Sequence, residues 1–282
     1  MPLDLHPLVA TTLDDPRLAD YRDLRDRRLG PSSGRFIAES EVVVRKLLAA
    51  GMPIHSMLLT APRLASLEPL LAATPRSFPI FLVPQTVMDK VAGFHVHRGC
   101  LAIAERPRRA LPADAHLIVI AVDLVDVDNL GSLARNAAAF GVDALMLSPR
   151  SADPYYRKAV RTSAGAVLAL PIVRAGRWPE DLLALRDEHG FQLAAAVLTD
   201  SALPLPLFAP AEHLALLFGP EGPGLDPALQ QLCDIRLKIP MVSSPGVDSL
   251  NVANASAVFL YHITQVFPRR PPSLEQPGQI SR

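Results

Sequence analysis

A chain of 282 residues, 49% hydrophobic and 20% charged, carries enough apolar material for a sizeable core and is long enough for two domains. This balance excludes a largely disordered chain, and apolar runs interrupted by proline, glycine or charge exclude a membrane-spanning helix. Net charge is zero but uneven, with 15 Lys+Arg against 11 Asp+Glu through residue 112 and 13 against 17 afterwards, so a basic first part precedes an acidic second one.

The opening residues lack a basic segment followed by an apolar run, which argues against a secretory signal and for a cytoplasmic protein. The two cysteines, Cys100 and Cys233, are far apart and suggest neither a disulfide framework nor a zinc site; both read as small buried hydrophobes. Lys46, Lys90, Lys158 and Lys238 are the only lysines, so positive charge is mostly arginine, whose planar fork suits phosphate.

In chain order, DPRLADYRDLRDRRLG places Leu18, Tyr21, Leu24 and Leu29 among arginines, as in a short amphipathic helix. Its charged face is either solvated and laced with Asp–Arg pairs or an RNA-contacting edge. RFIAESEVVVRKLLAAGMPIHSMLLT predicts a strand, a helix ending near Gly51 and a strand over Ile54 to Leu59. SFPIFLVP and GCLAIAER predict further strands, with VMDKVAG a short helix between them. RPRRALPADA, Arg106 to Ala115, is the best linker candidate.

HLIVIAVDL, residues 116 to 124, opens a second α/β region, and VDVDNLGSLARNAAAFGVDALMLSP continues it as tight turn, helix and strand. Gly131 is expected where the turn feeds the helix, and Arg135 and Asn136 project one turn into it. No GxGxxG run follows the strand, which opposes a nicotinamide-dependent enzyme. ADPYYRKAVRTSAGA then concentrates Tyr155, Tyr156, Arg157, Lys158, Arg161 and Ser163, a mixture that either binds a phosphodiester and stacks on bases or half-buries its tyrosines in a helix packing. DLLALRDEHG is a helix followed by a strand, HLALLFGPEGPGL a strand breaking into a glycine-rich loop around Glu221, and DPALQQLCDIRLKIPM a capped helix and strand. The last junction, Ile239 to His262, runs from a strand through a Ser/Gly/Pro loop into a helix with Val252, Ala255, Val258, Phe259 and His262 at helical spacing. Ser249 and Asn251 stand where that loop becomes helix, as an ordinary Ser cap or as part of a site lined with unpaired backbone N–H groups.

Three of these junctions, NLGSLARNAAAFG at Asn129 to Gly141, LFGPEGPGL at Leu217 to Leu225 and IPMVSSPGVDSLNVANA at Ile239 to Ala255, resemble the three ordered motifs of the SpoU/TrmH family of RNA 2′-O-ribose methyltransferases. The resemblance covers about residues 116 to 265, and ADPYYRKAVRTSAGA is similar to the segment between the first two motifs in relatives. It implies an α/β fold: a knotted (trefoil) parallel-sheet methyltransferase domain at 113–268, preceded at 1–112 by a small α/β ribosomal-protein-like RNA-binding domain and followed by a flexible tail at 269–282. General topology rules argue against a knot, so that expectation rests on the resemblance alone.

The resemblance further implies S-adenosylmethionine as cofactor, structured RNA as substrate, with ribosomal RNA favoured over transfer RNA, and a homodimer. Matching motif positions assign cofactor binding to Leu217, Gly219, Ile239, Met241 and Leu250, and the catalytic set to Arg135, Asn129, Glu221, Ser249 and Asn251, with no metal. For Arg135, phosphate binding and alkoxide stabilisation are preferred over proton removal, since a guanidinium is a poor base. Asn129 and Glu221 would fix the loop and the arginine, with a purely structural role for Glu221 equally open, while Ser249 and Asn251 would shape the cofactor loop or the ribose site. A silent RNA-binding or assembly factor on the same fold is the alternative outside catalysis. Many relatives have a proline where this chain has Val127, and the SSPGVD loop is slightly longer, so no contacts are assigned within Val242 to Asp248.

Overall fold

Apolar runs set the strands of the computed structural model, which describes residues 7–22, 33–74, 78–92, 99–242 and 249–266. Packing divides the chain into two units that do not follow chain order. The first comprises Met1–Ala110, Val125–Arg135 and Ala152–Pro171; the second comprises Leu111–Leu124, Asn136–Ser151 and Ile172–Arg282.

The first unit holds a five-stranded mixed sheet. Its strands are β1 (Leu8–Val9), β2 (Arg35–Glu39), β3 (Ile54–Leu59), β4 (Ile80–Leu82) and β5 (Cys100–Glu105), in the order β1-β4-β3-β5-β2. Strand β4 runs parallel to β1 and β3, while β5 is antiparallel to β3 and β2. Helices α1 (Glu41–Ala49), α2 (Ala61–Ala73) and α3 (Gln85–Ala92) connect them. Helix α2 was not legible: Pro69 inside it and its weak apolar periodicity hide a helix whose Leu67 and Leu71 are nonetheless buried.

The described start of the predicted Arg-rich amphipathic helix is a 3₁₀ helix, Pro16–Tyr21, capped by Asp15, whose carboxylate accepts the Arg17 N–H at 2.9 Å. Leu18 and Tyr21 are buried as the pattern required, and Leu24 and Leu29 lie outside the described residues. The predicted linker is tied down at two points: Arg106 grips Asp153 with two 2.7 Å bonds, and Arg109 donates to the carbonyls of Leu168 and Ala169. Helix α4 (Val127–Ala139) contributes its first part to this unit and its end to the second; two short helices of the first unit follow, α5 (Arg157–Thr162), which carries the middle basic run, and α6 (Ala166–Ala169).

The second unit is built on seven strands, all parallel. They are β6 (Leu117–Ala121), β7 (Ala144–Leu147), β8 (Ile172–Arg174), β9 (Gln192–Ala196), β10 (Leu203–Pro204), β11 (Leu214–Phe218) and β12 (Ile235–Lys238), in the order β10-β12-β9-β11-β6-β7-β8. LIVIA of β6 and LALLF of β11 are buried along their whole length, as uninterrupted apolar runs of a covered parallel sheet should be. Helices α7 (Glu180–Asp187), α8 (Pro227–Leu232) and α9 (Val252–Val266) complete this unit. Strand order reverses at β6, because β11 pairs beside it and pushes β9 one place out. No helix among the described residues is long and apolar enough to cross a membrane.

Two expectations are corrected here. Helix α4 starts at Val127, ahead of Gly131, because the Asp126 carboxylate accepts the N–H groups of Asp128 and Asn129 at 2.8 and 2.9 Å and caps it. The buried face of α9 is Val252, Ala253, Ser256, Phe259, Leu260 and Ile263, whereas Val258 is 42% exposed. That face centres on a serine, which a hydrophobic pattern reads as surface. The tail 269–282 and positions 243–248 of the final loop lie outside the described residues.

Candidate cofactor cavity and catalytic helix

Parallel strands end together, so the loops leaving them enclose a crevice at their carboxyl ends. Here the loops after β9, β11 and β12 and the start of α9 surround a cavity of about 620 Å³. The loop after β11 forms one wall and is held by short contacts within itself. A Cβ on Gly219 would sit 2.5 Å from the Leu225 nitrogen and 2.6 Å from the Gly224 carbonyl carbon, so glycine is the residue this fold-back accepts. The Pro220 carbonyl accepts the Gly224 N–H at 3.1 Å, and Gln230 donates to the Leu225 carbonyl at 2.7 Å.

The opposite wall is the first turn of α9. Asn251 caps it, its side-chain oxygen accepting the Ala253 N–H at 2.9 Å. Phe259 reaches the cavity floor edge-on to Phe218, with ring centroids 5.6 Å apart. Leu198, Met241 and Leu250 stand at the rim, 60%, 41% and 39% exposed. Exposed apolar side chains around a concavity are what a flat apolar ligand group would cover.

Glu221 is the sole ionisable residue among the described lining residues, which include no lysine or arginine. Such a cavity disfavours a di- or triphosphate and accepts a ligand with an aromatic base and positive charge. S-adenosylmethionine, with adenine, sulfonium and ammonium, matches that donor set.

Of the residues assigned to the cofactor, Gly219, Ile239, Met241 and Leu250 line the cavity. The Leu217 side chain does not; it is fully buried in the core with Ile120 and Leu193, and its neighbour Phe218 faces the cavity. Glu221, Ser249 and Asn251 of the assigned catalytic set also line it and are exposed. Sequence reasoning missed Leu198, Thr199, Phe218, Gln230 and Phe259. The pairing of β9 with β11, Ala195 beside Leu217, is what brings the loop after β9 to the site, and nothing local in the sequence announces that pairing.

Asn129 and Arg135 stand on α4, in the stretch that belongs to the first unit. Asn129 is in the first turn, half-buried, its N–H held by Asp126. Gly131 permits α5 to approach α4 closely: a Cβ there would be 2.8 Å from the Ala159 carbonyl oxygen. Asp128 reinforces that approach through Lys158 at 2.5 Å and Thr162 at 3.0 Å, and these contacts lower its carboxyl pKa, the Lys158 bond most. Leu130, Leu133, Ala134 and Ala137 bury the inner face of α4, while Arg135 is on the exposed face and its side chain makes no hydrogen bond or ion pair among the described residues.

The sequence model of the SpoU rRNA Methylase family matches residues 116–261, the span holding the cavity and α4. The chain belongs to this family. An uncharacterised tRNA/rRNA methyltransferase of Mycobacterium bovis is 42% identical over 263 residues, covering 89% of this chain and 90% of its own. The 23S rRNA (guanosine(2553)-2′-O)-methyltransferase of Bacillus subtilis is 26% identical over 249 residues, 88% of this chain and 95% of its own. Among solved structures, the AdoMet-bound rRNA methyltransferase of Sinorhizobium meliloti superposes with a TM-score of 0.79 at 25% identity, covering 92% of this chain and 98% of that one. Membership in the SpoU family makes the chain an RNA methyltransferase of α/β fold with a parallel sheet.

Proposed function

We propose that this protein uses S-adenosylmethionine to methylate a ribose 2′-hydroxyl of structured RNA, ribosomal rather than transfer RNA. The observation that carries this reading is the cavity at the ends of β9, β11 and β12, apolar at the rim and without a cationic side chain among its described lining residues. The Bacillus subtilis relative, a 23S rRNA 2′-O-methyltransferase by name, supports the ribose position and the ribosomal substrate. When bound, the cofactor supplies an electrophilic methyl carbon on its sulfonium.

Gly219 and Ile239 would present backbone to the adenine of the bound cofactor, and Met241 and Leu250 would flank it with apolar side chains. Asn251 fixes the start of α9, and with Ser249 shapes the ribose end of the cavity. Glu221 stands by the positive end of the cofactor or steadies its loop. Arg135 binds the phosphate next to the target ribose and stabilises the alkoxide as the 2′-hydroxyl loses its proton. Asn129 holds the first turn of α4 so that Arg135 is presented. The segment 1–112 serves as the RNA-binding domain, the final segment of the methyltransferase domain is drawn through a knot, and two copies pair in the cytoplasm as a homodimer.

Transfer of labelled methyl from S-adenosylmethionine to separated ribosomal and transfer RNA, from cells lacking this gene, tests the reading. Alkali-resistant label in ribosomal RNA is the expected outcome, with Arg135→Ala slowing transfer about 100-fold or more while still binding the cofactor. A protein that binds RNA and cofactor but labels neither RNA points to the silent assembly factor.

A further inference from the structure

The first unit contains a second concavity, of about 490 Å³, that the methyl-transfer reading does not use. Three guanidiniums line it: Arg45 of α1, Arg63 of α2 and Arg161 at the last turn of α5. Glu41, the single carboxylate among the described lining residues, is engaged on both oxygens. One accepts Arg45 at 2.6 Å and Ser66 at 2.6 Å, and the other accepts Arg63 at 2.7 Å. Glu41 therefore braces two arginines, and the described lining residues carry three guanidiniums to one carboxylate.

Arg161 is built into place. Arg157, four residues earlier on the same face of α5, bonds the buried Glu39 carboxylate at 2.6 Å and pins that helix to β2. Lys158 is paired with Asp128. Of the basic run Arg157, Lys158 and Arg161, only the Arg161 side chain makes no hydrogen bond or ion pair among the described residues.

The backbone around it is unusual. Ser40 and Ala164 line the cavity with φ of 88° and 50°, two of the three described non-glycine residues with positive φ. Such conformations are costly for residues with a Cβ and persist where the surroundings enforce them. In this conformation the Ser40 side chain does not cap α1, whose first turn joins the cavity wall.

We propose that this cavity binds a backbone phosphate of the substrate RNA, with Arg161 as the principal contact and Arg45 and Arg63 completing the positive wall. The open guanidinium of Arg161, beside Arg45 and Arg63 held by Glu41, suits an oxyanion, and a single phosphate fits the volume. The proposal rests on the RNA methyltransferase reading and adds an anchoring point to it.

The test measures affinity of the full chain for an unmodified ribosomal RNA transcript over a salt series, for wild type, Arg161→Ala, Arg161→Lys and Arg161→Glu, with S-adenosylmethionine affinity measured alongside. Arg161→Ala should bind RNA about 3- to 10-fold more weakly, with a log–log salt slope shallower by about 0.7–0.9 as one phosphate contact is lost. Arg161→Lys should recover part of the affinity, Arg161→Glu should bind more weakly still, and cofactor affinity should not move. Wild-type RNA affinity and salt slope in both Arg161→Ala and Arg161→Glu would overturn the proposal and leave the methyltransferase reading standing. Failure of the wild type to bind any RNA while it binds cofactor would overturn both. A parallel arm titrates inorganic phosphate against chloride at equal ionic strength. Arg161-dependent phosphate binding with unchanged RNA affinity would make the cavity a small-anion site and refute the RNA assignment.

Discussion

Asn136 holds Ser256: the Asn136 amide, on the last turn of α4, donates to the Ser256 hydroxyl at 3.0 Å and to the Ala253 carbonyl at 2.7 Å. The Ser256 hydroxyl itself donates to Ala253 at 2.7 Å, so a fully buried serine at the centre of the inner face of α9 is satisfied from both sides. This contact seats the helix whose first turn walls the cofactor cavity. Asn136→Leu should therefore cost about 1–3 kcal/mol of stability, since it strands buried polar groups. Chemical denaturation with and without cofactor checks this, and the variant should also bind S-adenosylmethionine more weakly.

Gly219→Ala should weaken cofactor binding at least about tenfold, because backbone atoms of its own loop occupy the place of the new methyl and the loop must move. Calorimetric titration reads the effect directly. Gly141→Ala, where a Cβ meets nothing within 4 Å, serves as the control: its φ of 69° strains α4's end but should leave cofactor affinity unchanged.

The Glu39–Arg157 pair is buried, with side chains 3% and 15% exposed. Glu39→Ala removes the carboxylate that Arg157 was folded against and should destabilise the protein by about 3–5 kcal/mol, seen as a lower urea midpoint. Replacing both residues together, Glu39→Leu with Arg157→Met, should recover most of that loss.

Glu41 carries a pH signature. Hydrogen bonds from Ser66 and then Arg45 pull its carboxyl from the ordinary 4.5 down to about 2. A carboxyl depressed in the folded state adds stability above its unfolded pKa and loses it as pH falls toward the folded one. Wild type should thus be more stable than Glu41→Gln at neutral pH, with the difference shrinking from about pH 4.5 downward and vanishing near pH 2. A constant difference across that range would show that Glu41 acts through packing alone.

Much of the local geometry around the candidate site was readable because its constraints are local. A loop that folds back on itself needs Gly219, a helix entering the cavity needs Asn251 to cap it, and an exposed Arg135 opposite a row of Leu and Ala is set by helical spacing alone. Continuous apolar runs likewise announced β6 and β11 as covered parallel strands. Where a local signal misled, another interaction had overruled it. Asp126 started α4 ahead of Gly131, and Asn136 allowed Ser256 onto the buried face of α9, for which the spacing had offered Val252, Ala255, Val258, Phe259 and His262.

What the sequence determined by itself was therefore most of the elements and the three loops assigned to the candidate site, because each depends on residues within a few positions of one another. Only the tertiary structure decided that β11 pairs between β6 and β9, which carries Leu198 to the cavity and turns Leu217 into the core. It also decided which cations of one basic run are spent on internal partners and which, Arg161, is left facing a cavity. These outcomes depend on hydrogen bonds and packing between residues far apart in the chain, such as Asn136 and Ser256 at a separation of 120 positions, and no periodicity records such a partner.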